Sequence, residues 1–436
     1  MTAIVGVLNS QGIAIAADSA VTVSGNNGRK VYNRSNKIFT LSKYHPVGIA
    51  IYSNADFLGI PLETLIKLYR KKIKDVPFKT VNDYKLDFLE FIKSQVVHVS
   101  RDFKRDAFYS FCNEVYNTIK GNIIKKLDTR NEELNQLSSA DAGNLIDAEI
   151  LFEIDAYLTY VNGFEKANYT NISFEDYAAY YENELTEIAN FIQTEVNKGY
   201  NLAALKPNHI LKLREVLYGL INVEFIFERY CGLVFVGFGD DEIYPSSHLV
   251  LLGTLIADAP RVRIFDVINI EPGKLNSNIL PYVQGDVTTA VLTGVDPNYK
   301  QEVKDSIKTA FDTIANEIEE TVDNQALTQQ ISTVISATAD QLIKKLDEYQ
   351  YNTITGPLLE ILAHMGKEDM SELAESLVNI TSLKRKFTSS DSSDESVGGP
   401  VDVAIITKGD GFIWMKRKQY FNINDNRGFI DKYYKS

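Results

Sequence analysis

Residues Met1–Ala20 read MTAIVGVLNSQGIAIAADSA. Residues 3–8, AIVGVL, and 13–17, IAIAA, are apolar almost without a break. A strand with one solvated face alternates apolar and polar residues, so an unbroken apolar run belongs to a strand covered on both faces. NSQG between the runs is a hairpin turn. The spacing predicts a buried hairpin that starts at Thr2 and brings Asp18 back beside it. Chain ends ordinarily fray in water, whereas this one reads as built into the interior.

Beyond the hairpin, SGNNGRKVYNRSN (24–36) reads as a polar connection. KIFTLSK (37–43) and VGIAIYS (47–53) read as another strand pair turning at KYHP, so four strands of one sheet are expected within the first 53 residues. From about Ala55 to Glu228, apolar residues recur at three- and four-residue spacing, as in LETLIKLYRKKIK (62–74) and HILKLREVLYGLINVEFIFERY (209–230). That period predicts helices, with TRNEELNQLSSADAGN (129–144) as a polar break. Strand character returns at CGLVFVGFG (231–239), HLVLLGTLIA (248–257) and RVRIFDVINI (261–270). After YVQGD (282–286) helices resume through about Lys384. A Ser- and Asp-rich stretch follows, FTSSDSSDESVGG (387–399), and PVDVAIITKGDGFIWMKR (400–417) closes with a hairpin at KGDG. Strands gathered at the start, middle and end, with helical blocks between, do not form a βαβ alternation. They predict an α+β fold with two antiparallel sheets face to face and helices outside, an αββα sandwich. The sandwich core falls to 1–58 with 229–295 and 385–436, a helical insertion to 59–228, and a helical layer to 296–384.

Composition narrows the chemistry. The 436 residues carry 45 basic and 58 acidic side chains, a net charge of −13, which speaks against a nucleic-acid partner. The two cysteines, Cys112 and Cys231, stand far apart in no motif and read as buried free thiols of a reducing compartment. His45, His98, His209, His248 and His364 are scattered without metal-ligand spacing. No phosphate-cradling loop occurs, and GFGDDE (237–242) reads as a strand-end turn. No metal and no cofactor are expected. The apolar runs are too short to cross a bilayer, and no basic-then-apolar leader opens the chain. A cytoplasmic protein without a membrane partner is the expectation.

Thr2 carries the sharper chemical hint. A threonine hydroxyl is a weak nucleophile until a base takes its proton. With Met1 removed, Thr2 would carry both a hydroxyl and a free α-amine, whose pKa is about 7.7–8.0 in a free chain. A nearby cation lowers that value, so the amine could act as the base. Such a site needs a rigid strand start, a carboxylate, a cation, and a backbone N–H for the developing oxyanion. Asp18 ends the partner strand, Lys37 opens the third, and IAIYSN ends the fourth, where exposed N–H groups could form an oxyanion hole.

These segments, T-A-I-V-G-V…G-I-A-I-A-A-D-S-A, N-K-I-F-T-L and G-I-A-I-Y-S-N-A-D, together resemble the N-terminal region of proteasome β-subunits and their bacterial relatives. Those are N-terminal-nucleophile (Ntn) hydrolases of the threonine-peptidase type. The resemblance spans roughly the first 58 residues well, 231–286 loosely and the last 40 or so moderately. It implies a four-layer Ntn sandwich, here with a large helical insertion. By its pattern Thr2 is the nucleophile, Asp18 and Lys37 its partners, and Asp394, in D-E-S-V-G-G, helps to hold the amine. The oxyanion-hole glycine of the family falls at Tyr52 or Ser53. Gln284 stands where the family has a serine, and a second family serine aligns with Val397, next to Ser396. The implied activity is cleavage of a peptide amide, with a peptide or protein as substrate. A homo-oligomer and an unfoldase partner come with the resemblance. The alternatives are a small-molecule amidase and a catalytically inactive Ntn-fold subunit serving assembly or regulation.

Overall fold

The computed structural model describes residues 2–25, 28–32, 34–166, 172–188, 190, 207–227, 229–322, 324–388, 398–419, 421–422, 424–426 and 428. Met1, Asp394, Ser396 and Val397 lie outside them. Two antiparallel five-stranded sheets organise the chain. The first runs in the order β12-β1-β2-β13-β14. Its strands are β1 (Ile4–Asn9), β2 (Gly12–Ala17), β12 (Ser277–Val283), β13 (Asp402–Thr407) and β14 (Gly411–Lys416). The second runs β11-β10-β9-β6-β5. It comprises β5 (Ile38–Thr40), β6 (Val47–Ser53), β9 (Cys231–Gly237), β10 (Ser246–Ile256) and β11 (Ala259–Asn269). Two small ladders complete the strands, β3 (Val21–Gly25) with β4 (Gly28–Tyr32), and β7 (Asp56–Phe57) with β8 (Ile60–Pro61).

Three expectations are corrected by this arrangement. The four early strands do not share a sheet, because β1–β2 belong to the first and β5–β6 to the second. Both pairs are apolar throughout, and that pattern reports coverage of two faces without saying which neighbour provides it. The segment between them is also not a plain connection, because it folds into β3 and β4, registered Val21 to Tyr32. Farther on, the predicted polar break at 129–144 is mostly helical, since α4 (Asn131–Gln136) and α5 (Ser139–Asn162) occupy it. Ser138 caps α5 by accepting from the Asp141 N–H, so the polar residues mark a helix start.

The unbroken apolar runs are explained by what covers them. Ile4, Leu8, Ile13 and Ile15 point one way, into a core shared with Ala50, Val234, Val236 and Leu249 of the other sheet. Val5, Val7, Ala14 and Ala16 point the other way, onto α12 (Gly356–Ala363) and α13 (Lys367–Thr388). The second sheet repeats this: Ile49, Leu233, Phe235 and Val250 face away from the first, onto α1 (Leu62–Ile73) and α2 (Val81–Gln95). Helix α2 starts with a reciprocal cap, Thr80 Oγ1 accepting from Asp83 N–H and Asp83 Oδ2 from Thr80 N–H.

The helices between α2 and β9 build a core of their own. These are α3 (Arg101–Thr129), α4, α5, α6 (Phe174–Tyr180), a helical run over 182–188 (α7) and α8 (Pro207–Ile221). Their core joins Phe108, Phe111, Ile154, Tyr177 and Leu217 with Ile256, at the end of β10. After β12 come α9 (Gly285–Thr293) and then α10 (Pro297–Thr321) paired with α11 (Gln325–Gln350). The whole is a mixed, antiparallel α+β fold. No helix among the described residues is long and apolar enough to cross a membrane. Cys112 and Cys231 are both buried free thiols.

Candidate active site

The β1–β2 register sets the site. Ile4 pairs with Ala17, so the next residues out along the two strands, Ala3 and Asp18, face each other at the sheet end. Asp18 N–H donates to Ala3 O at 3.1 Å, and Ala3 N–H donates to Asp18 Oδ1 at 2.9 Å. The carboxylate is thus clipped to the peptide link directly after Thr2. Lys37 Nζ reaches the same oxygen at 2.6 Å. Oδ2 accepts from the Ala20 and Gly398 N–H groups, both at 3.1 Å. Asp18 is 1% exposed and Lys37 3%, so this ion pair lies out of water. A buried pair holds only if its remaining lone pairs are satisfied, and three backbone donors satisfy those of Asp18.

Burial pulls the pKa of Lys37 down, Asp18 opposes that shift, and the cation of Lys418 adds to it. Lys418 belongs to a second buried pair with no counterpart in the sequence reading. Its ammonium is paired with Asp402, whose other oxygen accepts the Lys418 N–H at 2.8 Å. Asp402 lies opposite Ala17 in the β2–β13 register, one residue from Asp18. Opposite charges at the two ends of the closing hairpin were the available signal.

Thr2, Lys37, Tyr52 and Ser53 line one small cavity of about 20 Å3, room for one water. The sequence offers both Tyr52 and Ser53 as oxyanion candidates, and their backbone settings differ. Ser53 has φ 65°, in the left-handed region that favours glycine. Ile51 N–H donates to Lys37 O at 2.8 Å, while Asn54 N–H donates to Tyr230 O at 3.2 Å on the other side. Alternation then places the Ser53 N–H on the Lys37 side. Strand β5 begins only at Ile38, so no described ladder carbonyl stands opposite it. The Tyr52 side chain instead packs into the inter-sheet core, edge-on to Tyr230. Burial, with Tyr230 beside it, pushes the phenol pKa up. Its ring occupies the space above Gly232, where a Cβ would stand 2.1 Å from it.

Of the remaining sequence candidates, Asp394 lies outside the described residues, as do Ser396 and Val397. The end of that segment does reach the site. Gly398 binds Asp18, accepts the Ser19 N–H at 3.1 Å, and precedes Pro400, whose carbonyl accepts the Ser19 hydroxyl. Gln284 adjoins Val283, the β12 partner of Ile4. It takes φ 53°, and its Oε1 accepts from Arg385 Nε at 2.7 Å. Among the described residues no group of three or more His, Cys, Asp or Glu side chains could hold a metal ion. Thr2 with its hydroxyl, Lys37 of the buried Asp18–Lys37 pair, and Ser53 with its backbone N–H share one small cavity, a set of groups that acyl-transfer chemistry can use. No protein-family model and no curated protein matches this chain.

Proposed function

We propose that the protein is a threonine-type Ntn hydrolase that cleaves an amide bond, its two sheets and flanking helices being the four-layer Ntn sandwich. One observation carries the reading. Asp18, buried, holds both the Ala3 N–H and the Lys37 ammonium, and Lys37 lines the same small cavity as Thr2 and Ser53. With Met1 removed, Thr2 Oγ1 attacks the substrate carbonyl carbon, and its proton passes to the Thr2 α-amine. The oxyanion faces the Ser53 N–H. As the tetrahedral carbon collapses, the C–N bond breaks and the amine proton leaves with the departing nitrogen. Water, deprotonated by the same α-amine, then attacks the ester, releases the acid and restores the hydroxyl. Lys37 keeps the α-amine neutral near pH 7 by its charge. Asp18 keeps Lys37 in place.

One feature favours the second reading, a non-catalytic subunit on the same fold: the cavity beside Thr2 holds only about one water. Intact mass and covalent labelling decide between the two. The hydrolase reading expects a purified protein without Met1, labelled once by a Thr-directed electrophile. Thr2→Ala abolishes that labelling and lowers any peptidase rate by roughly 10³-fold or more, with the unfolding midpoint unchanged. Retained Met1, or labelling that survives Thr2→Ala, removes the nucleophile.

A further inference from the structure

We propose that the cavity between the β6–β7 connection and helix α3 is a substrate subsite for a bulky apolar side chain, an inference that rests on the hydrolase reading above. This cavity is about 240 Å3, and it shares Asn54 with the far smaller one beside Thr2. A peptide whose carbonyl lies between Thr2 and Ser53 passes Asn54 on its way into it. Asn54 is fixed for that position. Its side-chain oxygen accepts from Arg229 Nη2 at 3.0 Å, and its N–H is held by Tyr230 O.

The lining divides by depth. The floor is Phe57, Phe111, Cys231 and Leu252, all buried. The Cys231 thiol donates to Asp56 O at 3.1 Å, and burial pushes its pKa up to about 12. It is therefore a neutral, unreactive part of an apolar surface. The rim carries Phe103, 54% exposed, together with Asp56 and Asp106. The Phe103 ring closes over Gly59, which has φ +81° and where a Cβ would stand 3.2 Å from the ring. A glycine there lets α3 approach the turn of the β7–β8 ladder and form the outer wall. An apolar side chain fits the floor, whereas a charged one would lose its hydration there. The rim carboxylates outnumber its one cation, Arg229, whose guanidinium is engaged by Asn54, and so further disfavour an acidic side chain. The region built around α3 thereby supplies one wall of the substrate path, in addition to its own core.

The test uses three capped peptides with a Gly-Ser background and a single central Phe, Ala or Glu. Binding is measured to the full-length Thr2→Ala protein, so the readout does not depend on turnover. The Phe peptide is expected to bind at least about ten-fold tighter than the Ala peptide, the range an apolar pocket gives, and the Glu peptide weakest. Ala107→Phe, which fills the cavity from the half-buried face of α3, is expected to erase the Phe preference and leave the Ala peptide unchanged. Asp106→Lys, on the exposed rim, is expected to raise the affinity for the Glu peptide several-fold. Equal affinity for all three peptides overturns the proposal. So does a Phe preference that survives Ala107→Phe, or a Glu affinity indifferent to Asp106→Lys. Cleavage of the same peptides by the unmodified protein is scored separately. Cleavage without Phe preference sinks the subsite alone, and Phe-selective binding without cleavage sinks the hydrolase reading alone.

Discussion

Asp18 and Ser53 carry the two strongest single-residue constraints near Thr2. Asp18 neutralises a lysine that is only 3% exposed. Asp18→Asn would leave that ammonium buried beside an amide, and breaking a buried pair from one side costs roughly 3–5 kcal/mol. Denaturant unfolding at pH 7 should show a loss of that size, and a loss below about 1 kcal/mol would mean that the pair is weakly coupled to folding. Ser53 bears the opposite sign. A non-glycine residue at φ 65° is strained, and relieving left-handed strain is worth about 1 kcal/mol. Ser53→Gly should therefore stabilise the fold by about that amount while keeping the N–H to which the proposed mechanism assigns the oxyanion. Its unfolding midpoint should rise and its hydrolytic rate stay unchanged. A rate that falls with a rising midpoint would show that the Ser53 side chain, and not only its backbone, takes part. The sequence singled out Thr2, Asp18 and Lys37, which the fold brings together, because each sits at the end of an apolar run, a position readable in one dimension. It did not show the different backbone settings of Tyr52 and Ser53, because φ is set by how β6 leaves the sheet. It also passed over Asp402 and Lys418, which meet only through the β13–β14 pairing.

At the level of strands and helices, unbroken apolar runs made the buried hairpins legible, and the small residues Ala14 and Ala16 explain how α13 packs closely on β2. The division into two sheets was not legible, because hydrogen-bond partners across a sheet leave no trace in the strand's own composition. The pairing of α2 with β10 carries a consequence for acid stability. His248 on β10 is 4% exposed, and its Nδ1 has no hydrogen-bond partner among the described residues. Burial, and then the Lys85 cation of α2, lower its pKa from 6.5 to about 4. Between those values the folded protein holds His248 neutral while the unfolded chain protonates it. The unfolded state then binds more protons, so stability falls as pH drops through this window and recovers as it rises. At about 1.4 kcal/mol per pH unit the loss reaches up to ~3 kcal/mol. His248→Gln, which cannot titrate, should flatten the dependence of unfolding free energy between pH 4.5 and 6.5. An unchanged slope in the variant would assign the acid sensitivity to other groups.

Across the whole molecule, the two helical regions are attached differently. The region spanning α3 to α8 is tied to the second sheet by Arg261, 0% exposed, whose guanidinium donates to the carbonyls of Leu220, Ile221, Val223 and Phe225 at 2.9–3.3 Å. Those carbonyls lie at and just beyond the C-terminus of α8, where a cation is favoured. Among the described residues, the α10–α11 pair is held mainly at its base. Its principal packing partners beyond itself are α9 and the turn at 351–355, and α10 has no buried residue along its 25 positions. At 1.5 Å per residue it extends roughly 37 Å. The two strands of chain enter and leave together: Gln350 Nε2 donates to Thr293 O at 2.6 Å, and Lys300 pairs with Asp347 at 2.8 Å. A four-residue linker reaches at most about 13–14 Å, enough to join ends held this close. Replacing 299–349 with such a Gly-Ser linker should cost the remaining fold less than about 1 kcal/mol, a shift in midpoint of no more than roughly 2–4 °C. Thr2 labelling should persist, because among the described residues the hydrogen-bond and ion-pair partners of Asp18 and Lys37 lie outside the hairpin. Thermal unfolding and labelling of the shortened chain are the measurements. A cooperative transition near the original temperature with labelling lost would place the hairpin in the substrate path. Loss of cooperative unfolding would mean that the sheets depend on it after all.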